Sequence, residues 1–223
     1  MSYWKDYWNS VAEYKSPLLQ VQRDAISESQ LLLIEKHICS LLDLQINDVL
    51  LDVCCGNGLI TKRLAKYCKQ VIGVDFSKKL VETAQENSEQ VNLHFIEEDA
   101  TQLTRSIEIK FDKILLYFSF QYLNSMQGAL VISEMKKLLK PEGIILIGDI
   151  PDQNKFWLYY NTFLKRAFYF KQWILCQPKM GKFWAEIQMD TLAKNNNLKG
   201  EYCSQNEDLP HSHYRFDYLM YEE

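Results

Sequence analysis

From residue 49 onward, short apolar runs alternate with stretches whose apolar residues recur every three or four positions. VLLDV (49–53), QVIGVD (70–75), NLHFIEED (92–99), FDKILLYFS (111–119) and EGIILIGDI (142–150) read as strands. Between them, LITKRLAKY (59–67), SKKLVETAQENS (77–88) and MQGALVISEMKKLLK (126–140) carry helical spacing. Ser77 is placed to cap the second of these helices, and Pro141 to stop the third. Strands separated by helical crossovers imply parallel pairing with helices on both faces, a doubly wound α/β sheet. Two more runs, near 198–204 and 214–221, bring the expected sheet to seven mainly parallel strands.

The flanks read differently. Residues 27–42 place Leu31, Ile34, Ile38, Leu41 and Leu42 at helical spacing behind a Ser27/Gln30 capping box. Residues 1–20 hold Tyr3, Trp4, Tyr7, Trp8 and Tyr14, with Tyr7, Val11 and Tyr14 spaced for one helical face. Residues 153–182 read as one long helical insertion and 183–195 as a further helix. The chain is thus expected to be a single domain (1–223): a helical cap (1–44), a core (45–150), an insertion (151–196) and the last two strands (197–223).

Composition narrows this picture. With 47% hydrophobic residues in 223, the chain can bury a core, and with only 8 glycines and 5 prolines it does not resemble an all-β protein rich in tight turns. No apolar run is long enough to span a bilayer, and MSYWKDYWNS lacks the basic and apolar regions of a secretory signal, so a cytoplasmic location is expected. Six cysteines (39, 54, 55, 68, 176, 203) show no C-x-x-C spacing, and four histidines complete no ligand set, so no metal site is expected and the thiols read as buried. The net charge of −4 is unevenly spread: 153–182 holds nine aromatics, six cations and no acid, leaving 19 cations against 29 acids elsewhere. That acidic remainder argues against a nucleic-acid footprint.

The informative chemistry lies in Leu51-Asp52-Val53-Cys54-Cys55-Gly56-Asn57-Gly58, which follows a strand and opens a helix. Ligands of such sheets bind beyond the carboxyl ends of the strands. Gly56 and Gly58 let a ligand approach the backbone closely. Asp75 ends the second strand, placed to accept hydrogen bonds from a ribose diol, and Asp99 ends the third, where it can meet an adenine edge. A dinucleotide site would need G-x-G-x-x-G to seat a pyrophosphate, whereas this loop lacks the first glycine and begins with an acid, which suits a cationic cofactor better.

These residues resemble the class I S-adenosylmethionine-dependent methyltransferases. Asp52 through Gly58 matches the family's D-x-G-C-G-x-G with Cys54 in place of the first glycine, a variant similar to that of some quinone methyltransferases. Val71, Gly73, Asp75 and Ser77 match the second motif and Glu98-Asp99-Ala100 the third, while Phe111-Asp112 and Leu139–Gly143 fit the fourth and fifth strands. The resemblance covers about residues 45–150 and implies a Rossmann-like methyltransferase fold, with S-adenosyl-L-methionine as cofactor and S-adenosyl-L-homocysteine as product. It implies that Gly56 and Gly58, with Cys54 and Asn57 in the same loop, line the methionine moiety, and that Asp52 lies near its amino group. Asp75 would hold the ribose with Phe76 beside the adenine, Asp99 and Ala100 would meet the adenine amino group, and Tyr117 and Phe118 would face the cofactor. Tyr14 is the implied N-terminal tyrosine over the methionine end, with Trp8 nearby.

Methyl transfer from a sulfonium needs alignment and exclusion of water, and a base only if the nucleophile arrives protonated. Asp149, His211 and His213 are the candidate bases, with His213→Ala expected to lower turnover while sparing cofactor affinity. Gln121, Tyr122, Trp157, Tyr160 and Arg166 are the candidate substrate contacts. The insertion leaves several readings open: a packed cover, a lid for an apolar or lipid-linked acceptor with peripheral membrane contact through 153–182, or a grip on a sugar or phosphorylated molecule. Both monomer and homodimer stay open. A small-molecule methyltransferase is the expected function; a non-catalytic cofactor-binding partner subunit and a nucleotide-dependent oxidoreductase are the alternatives.

Overall fold

The structure is a computed structural model describing residues 2–21, 26–175 and 180–222, with Ser2 and Tyr3 described by backbone alone. Cys176, Lys179 and the side chain of Tyr3 therefore lie outside the described residues. The strands are β1 (Val49–Val53), β2 (Gln70–Asp75), β3 (Leu93–Glu97), β4 (Phe111–Tyr117), β5 (Leu139–Pro151), β6 (Lys199–Ser204) and β7 (Arg215–Tyr221). They form one seven-stranded sheet in the order β3-β2-β1-β4-β5-β7-β6. The first five pair in parallel, while β7 runs antiparallel to both β5 and β6.

Alternation along the strands divides the core between the two faces. Leu51, Val53, Ile114, Leu116, Ile145 and Ile147 face α6 (Ser125–Leu138) and α9 (Glu186–Lys194). Leu50, Val71, Leu115 and Leu146 face α3 (Glu28–Leu42), α4 (Thr61–Leu64) and α5 (Lys78–Glu86). Ile34, Ile38 and Leu42 of α3 are almost fully buried, each contributing about 1.5–3 kcal/mol of transfer free energy. The Ser27/Gln30 capping box opens α3 as expected.

Several boundaries differ from the sequence reading. The 59–67 helix is a four-residue α4 followed by a tighter 3₁₀ turn over 65–67. Ser77 precedes α5, but its hydroxyl accepts no cap bond and is a buried polar atom without a partner among the described residues. α6 already ends at Leu138; Pro141 lies in a bulge of β5, where the pairing jumps from Phe111↔Leu139 to Lys113↔Ile144. The insertion is broken in two: α7 (Phe156–Tyr159) and α8 (Phe163–Ile174), because Thr162 leaves the helix and its hydroxyl caps the Lys165 amide at 3.2 Å. Among the described cysteines only Cys68 is fully buried; Cys39, Cys54, Cys55 and Cys203 are half-buried, so the all-buried expectation fails. No described helix is long and apolar enough to cross a membrane.

Candidate active site

A cleft of about 790 Å³ opens beyond the carboxyl ends of β1, β2 and β4. The turn after β1 shapes its floor. Gly56 (φ 58°) and Gly58 (φ 74°) adopt left-handed backbone that glycine tolerates without strain, and Cys54 (φ 61°) takes the same conformation despite its Cβ. The turn is tied to β2 by the Cys55 amide donating to Val74 O at 2.9 Å.

Two acids anchor this end. Asp75 is 6% exposed and accepts from the Gly56 amide at 3.0 Å and the Ser77 amide at 2.9 Å. Burial raises its carboxyl to about 6, against the pull of those two amides. Asp52, also buried, accepts from Thr61 Oγ1 at 2.5 Å. Burial raises it to about 7; the Thr61 bond opposes the rise and the Asp75 charge adds to it. Burial and the neighbouring Asp75 charge also push the Cys54 and Cys55 thiols well up, so both stay protonated at neutral pH.

Asp52, Cys54, Gly56, Asp75, Phe76, Asp99, Ala100, Tyr117 and Phe118 all line the cleft, and so do Gln121 and Tyr122. Asp99 also caps the turn over 100–105, its Oδ1 accepting from the Thr101 amide at 2.9 Å and hydroxyl at 2.7 Å. Phe118 takes a left-handed φ of 68° directly after β4. Gln121 is buried, and its Oε1 accepts from Arg215 Nη1 at 2.7 Å.

Other expected site residues lie elsewhere. Gly58 is a packing position: a Cβ there would stand 2.7 Å from the Phe95 ring. Asn57 turns away from the cleft, donating to Pro17 O at 2.8 Å and Gln20 Oε1 at 3.0 Å, and so fastens the loop to α2 (Pro17–Gln20). Tyr14 is 47% exposed, because α1 (Ser2–Val11) ends before the helical spacing reaches it; its amide donates to Val11 O at 3.1 Å and its carbonyl accepts from Gln20 Nε2 at 2.9 Å. Asp149 sits in a β5 bulge with φ 59° and is turned toward Arg215, its Oδ2 2.8 Å from Nη1. His211 and His213 are exposed on the turn before β7, their rings against Tyr214. Tyr160 is buried among Phe156, Tyr169 and Phe183; Trp157 is exposed, with the Arg166 guanidinium 5.2 Å from its ring.

The cleft also recruits residues the sequence reading passed over. Trp4, Lys5 and Val21 come from the N-terminal segment beside the expected Trp8, Glu97 from the end of β3 next to the motif residue Glu98, and Gly181 and Lys182 from the return of the insertion. Trp4 carried a compositional signal without an address, whereas Gly181 carried none that separates it from a loop glycine.

A family model described as "Methyltransferase domain" matches residues 50–143. A ubiquinone biosynthesis O-methyltransferase of Coxiella burnetii is 28% identical over 193 residues, spanning 82% of this chain and 75% of that protein. An uncharacterized methyltransferase of Schizosaccharomyces pombe is 29% identical over 112 residues, and that match spans 45% of this chain but only 38% of the relative. The crystal structure of magnesium protoporphyrin IX methyltransferase from Synechocystis with bound S-adenosylhomocysteine superposes with a TM-score of 0.67 at 16% identity, covering 100% of this chain and 95% of that one. Residues 50–143 are a methyltransferase domain, and the sheet that holds them has the fold of class I S-adenosylmethionine-dependent methyltransferases. The mainly parallel seven-stranded sheet and the cofactor class agree with what the resemblance implied.

The methyltransferase's own residues fit that cofactor. Asp75 keeps one backbone donor on each oxygen, leaving lone pairs for a diol, and the Ser77 hydroxyl beside it is buried without a partner among the described residues. The acids around Asp52 and Asp75 suit a cation and would repel a diphosphate.

Proposed function

We propose that this methyltransferase transfers a methyl group to a small-molecule acceptor bound in the same cleft. One observation carries the reading: a single cleft of about 790 Å³ is lined both by Asp75 and Phe118 and by Trp4, Trp8 and Tyr122, whose rings pack together. When bound, S-adenosylmethionine supplies an activated methyl on a sulfonium sulfur. The chain's part is to orient both reactants. Asp75 would hold the ribose, Asp99 and Ala100 the adenine edge, and Asp52 and the Gly56 backbone the methionine end. Tyr117, Phe118 and the tryptophans exclude water and align the acceptor for in-line displacement.

The proposal includes a peripheral contact with anionic lipid through α8. That helix exposes Phe163 (84%), Leu164 (79%), Trp173 (69%) and Ile174 (72%) beside Lys165, Arg166 and Lys171, with no acid in its length. Apolar and cationic side chains on one exposed helix complement an anionic interface.

Calorimetry with S-adenosylhomocysteine and with NAD tests the cofactor assignment: binding of the first and not the second is expected. Labelled S-adenosylmethionine incubated with the protein and a cell extract should then transfer label to a low-mass acceptor. Cofactor binding with no label transferred would point to a non-catalytic module.

A further inference from the structure

The cleft is divided in charge. Asp52, Asp75, Glu97, Glu98 and Asp99 enter it from the ends of β1, β2 and β3, while Lys5 comes from α1 with Trp4 and Trp8, and Lys182 is bonded to the Gln121–Ser125 segment that holds Tyr122. Tyr122 stands 4.5 Å from Trp4 and 5.2 Å from Trp8, ring centroid to centroid. Lys182 is fastened to the segment that carries Tyr122. Its amide donates to Gln121 O at 2.7 Å, and its Nζ donates to Ser125 Oγ at 2.7 Å. Gly181 makes this approach feasible: its φ is +73°, and a Cβ would stand 2.3 Å from Gln121 O. The ammonium also lies 3.4 Å from the centroid of the buried Trp184 ring.

All the partners that fix the Lys182 side chain are neutral. A hydroxyl and an indole face hold it, and no carboxylate of the described residues lies within ion-pair distance. Burial alone acts on its ammonium and pulls its pKa down. A partly desolvated cation with neutral partners, set at a cleft wall, gains most from an anionic ligand that completes the pair. Three aromatic rings lining the same cleft favour a planar partner.

We propose that this part of the cleft is the acceptor subsite and that it takes an aromatic molecule bearing an oxyanion, the ring against Trp4, Trp8 and Tyr122 and the oxyanion on Lys182. The assignment rests on the methyl-transfer reading above and adds the acceptor's class to it.

The test uses the full chain saturated with S-adenosylhomocysteine, titrated calorimetrically with 3,4-dihydroxybenzoate and with its uncharged amide. Wild type should bind the carboxylate at least about tenfold more tightly than the amide, the size of one charge-assisted hydrogen bond. Lys182→Met should abolish that ratio, Lys182→Arg should retain most of it, and neither should change S-adenosylhomocysteine affinity. Equal affinities in wild type, no binding of either probe, or an unchanged ratio in Lys182→Met overturns the subsite. A parallel fall in cofactor affinity in Lys182→Met assigns the lysine to the cofactor's own carboxylate and overturns it too. Absence of S-adenosylhomocysteine binding in wild type is the separate result that would sink the methyl-transfer reading.

Discussion

Asp52 holds a carboxyl in a place that disfavours its charge, so removing the charge should stabilise the ligand-free protein. The group is 4% exposed, and its pKa rises from an ordinary 3.8 to about 7. The sign follows from proton uptake. Between these values the folded state keeps a proton that the unfolded chain has released, so stability falls as pH rises through that window. A gap of about three pH units, at about 1.4 kcal/mol each, sets a ceiling of about 4 kcal/mol above pH 7. Asp52→Asn removes this dependence while an amide oxygen can still accept from Thr61. For a chain of this size about 1 kcal/mol moves the melting temperature by roughly 2–4 °C. Thermal melts without ligand, followed by circular dichroism, should show the variant gaining on wild type from pH 4 to pH 8, by several degrees at the upper end. The same variant should bind S-adenosylmethionine more weakly, since a neutral amide offers the cofactor's ammonium no counter-charge. An advantage that does not grow with pH, or a variant less stable than wild type at pH 8, would refute the reasoning.

Gly58→Ala should cost about 2–4 kcal/mol, from a left-handed residue gaining a Cβ and from overpacking against Phe95, with cofactor affinity of the folded fraction kept; urea melts and calorimetry check the two halves. Arg215→Met should cost about 3–5 kcal/mol, because Asp149 would keep a buried charge without its partner, and Asp149→Asn in the same chain should recover part of that loss in urea melts. Vesicles containing a third phosphatidylglycerol should co-sediment the protein and neutral vesicles should not; glutamate at Leu164, Trp173 and Ile174 together should release it, and retention of the triple variant would remove α8 as the contact.

The doubly wound core was legible because its strands and helices differ in period. The first five strand runs emerge as β1–β5, β5 with its start moved to Leu139, and Asp52, Gly56, Asp75 and Asp99 reach one cleft because the topology brings strand ends together. What the sequence hid depends on local geometry without periodic signal. The β5 bulge turns Asp149 toward Arg215 instead of the cleft, and nothing in GIILIGDI marks an extra residue. The hydroxyl of Thr162 ends an apparently continuous helical pattern. Tyr14 fits the face begun by Tyr7 and Val11, yet α1 stops at Val11, and Trp4 and Trp8 reach the cleft instead. The Arg215–Asp149 and His37–Asp217 pairs join residues 66 and 180 positions apart, beyond any local pattern.

The two ends of the insertion meet. Asp152 and Trp184 form a β-bridge, with the Gln153 amide donating to Trp184 O at 2.9 Å and the Trp184 amide to Pro151 O at 2.8 Å. The chain between them therefore leaves and re-enters the domain through adjacent doors. Because closing a loop whose feet are already joined depends only weakly on its length, the segment is a cassette. It can be lengthened, shortened or exchanged for that of another methyltransferase while the sheet and the loop around Asp75 stay as they are. Acceptor choice and surface attachment could then change together, in one genetic step, without disturbing the half of the molecule that holds the methyl donor.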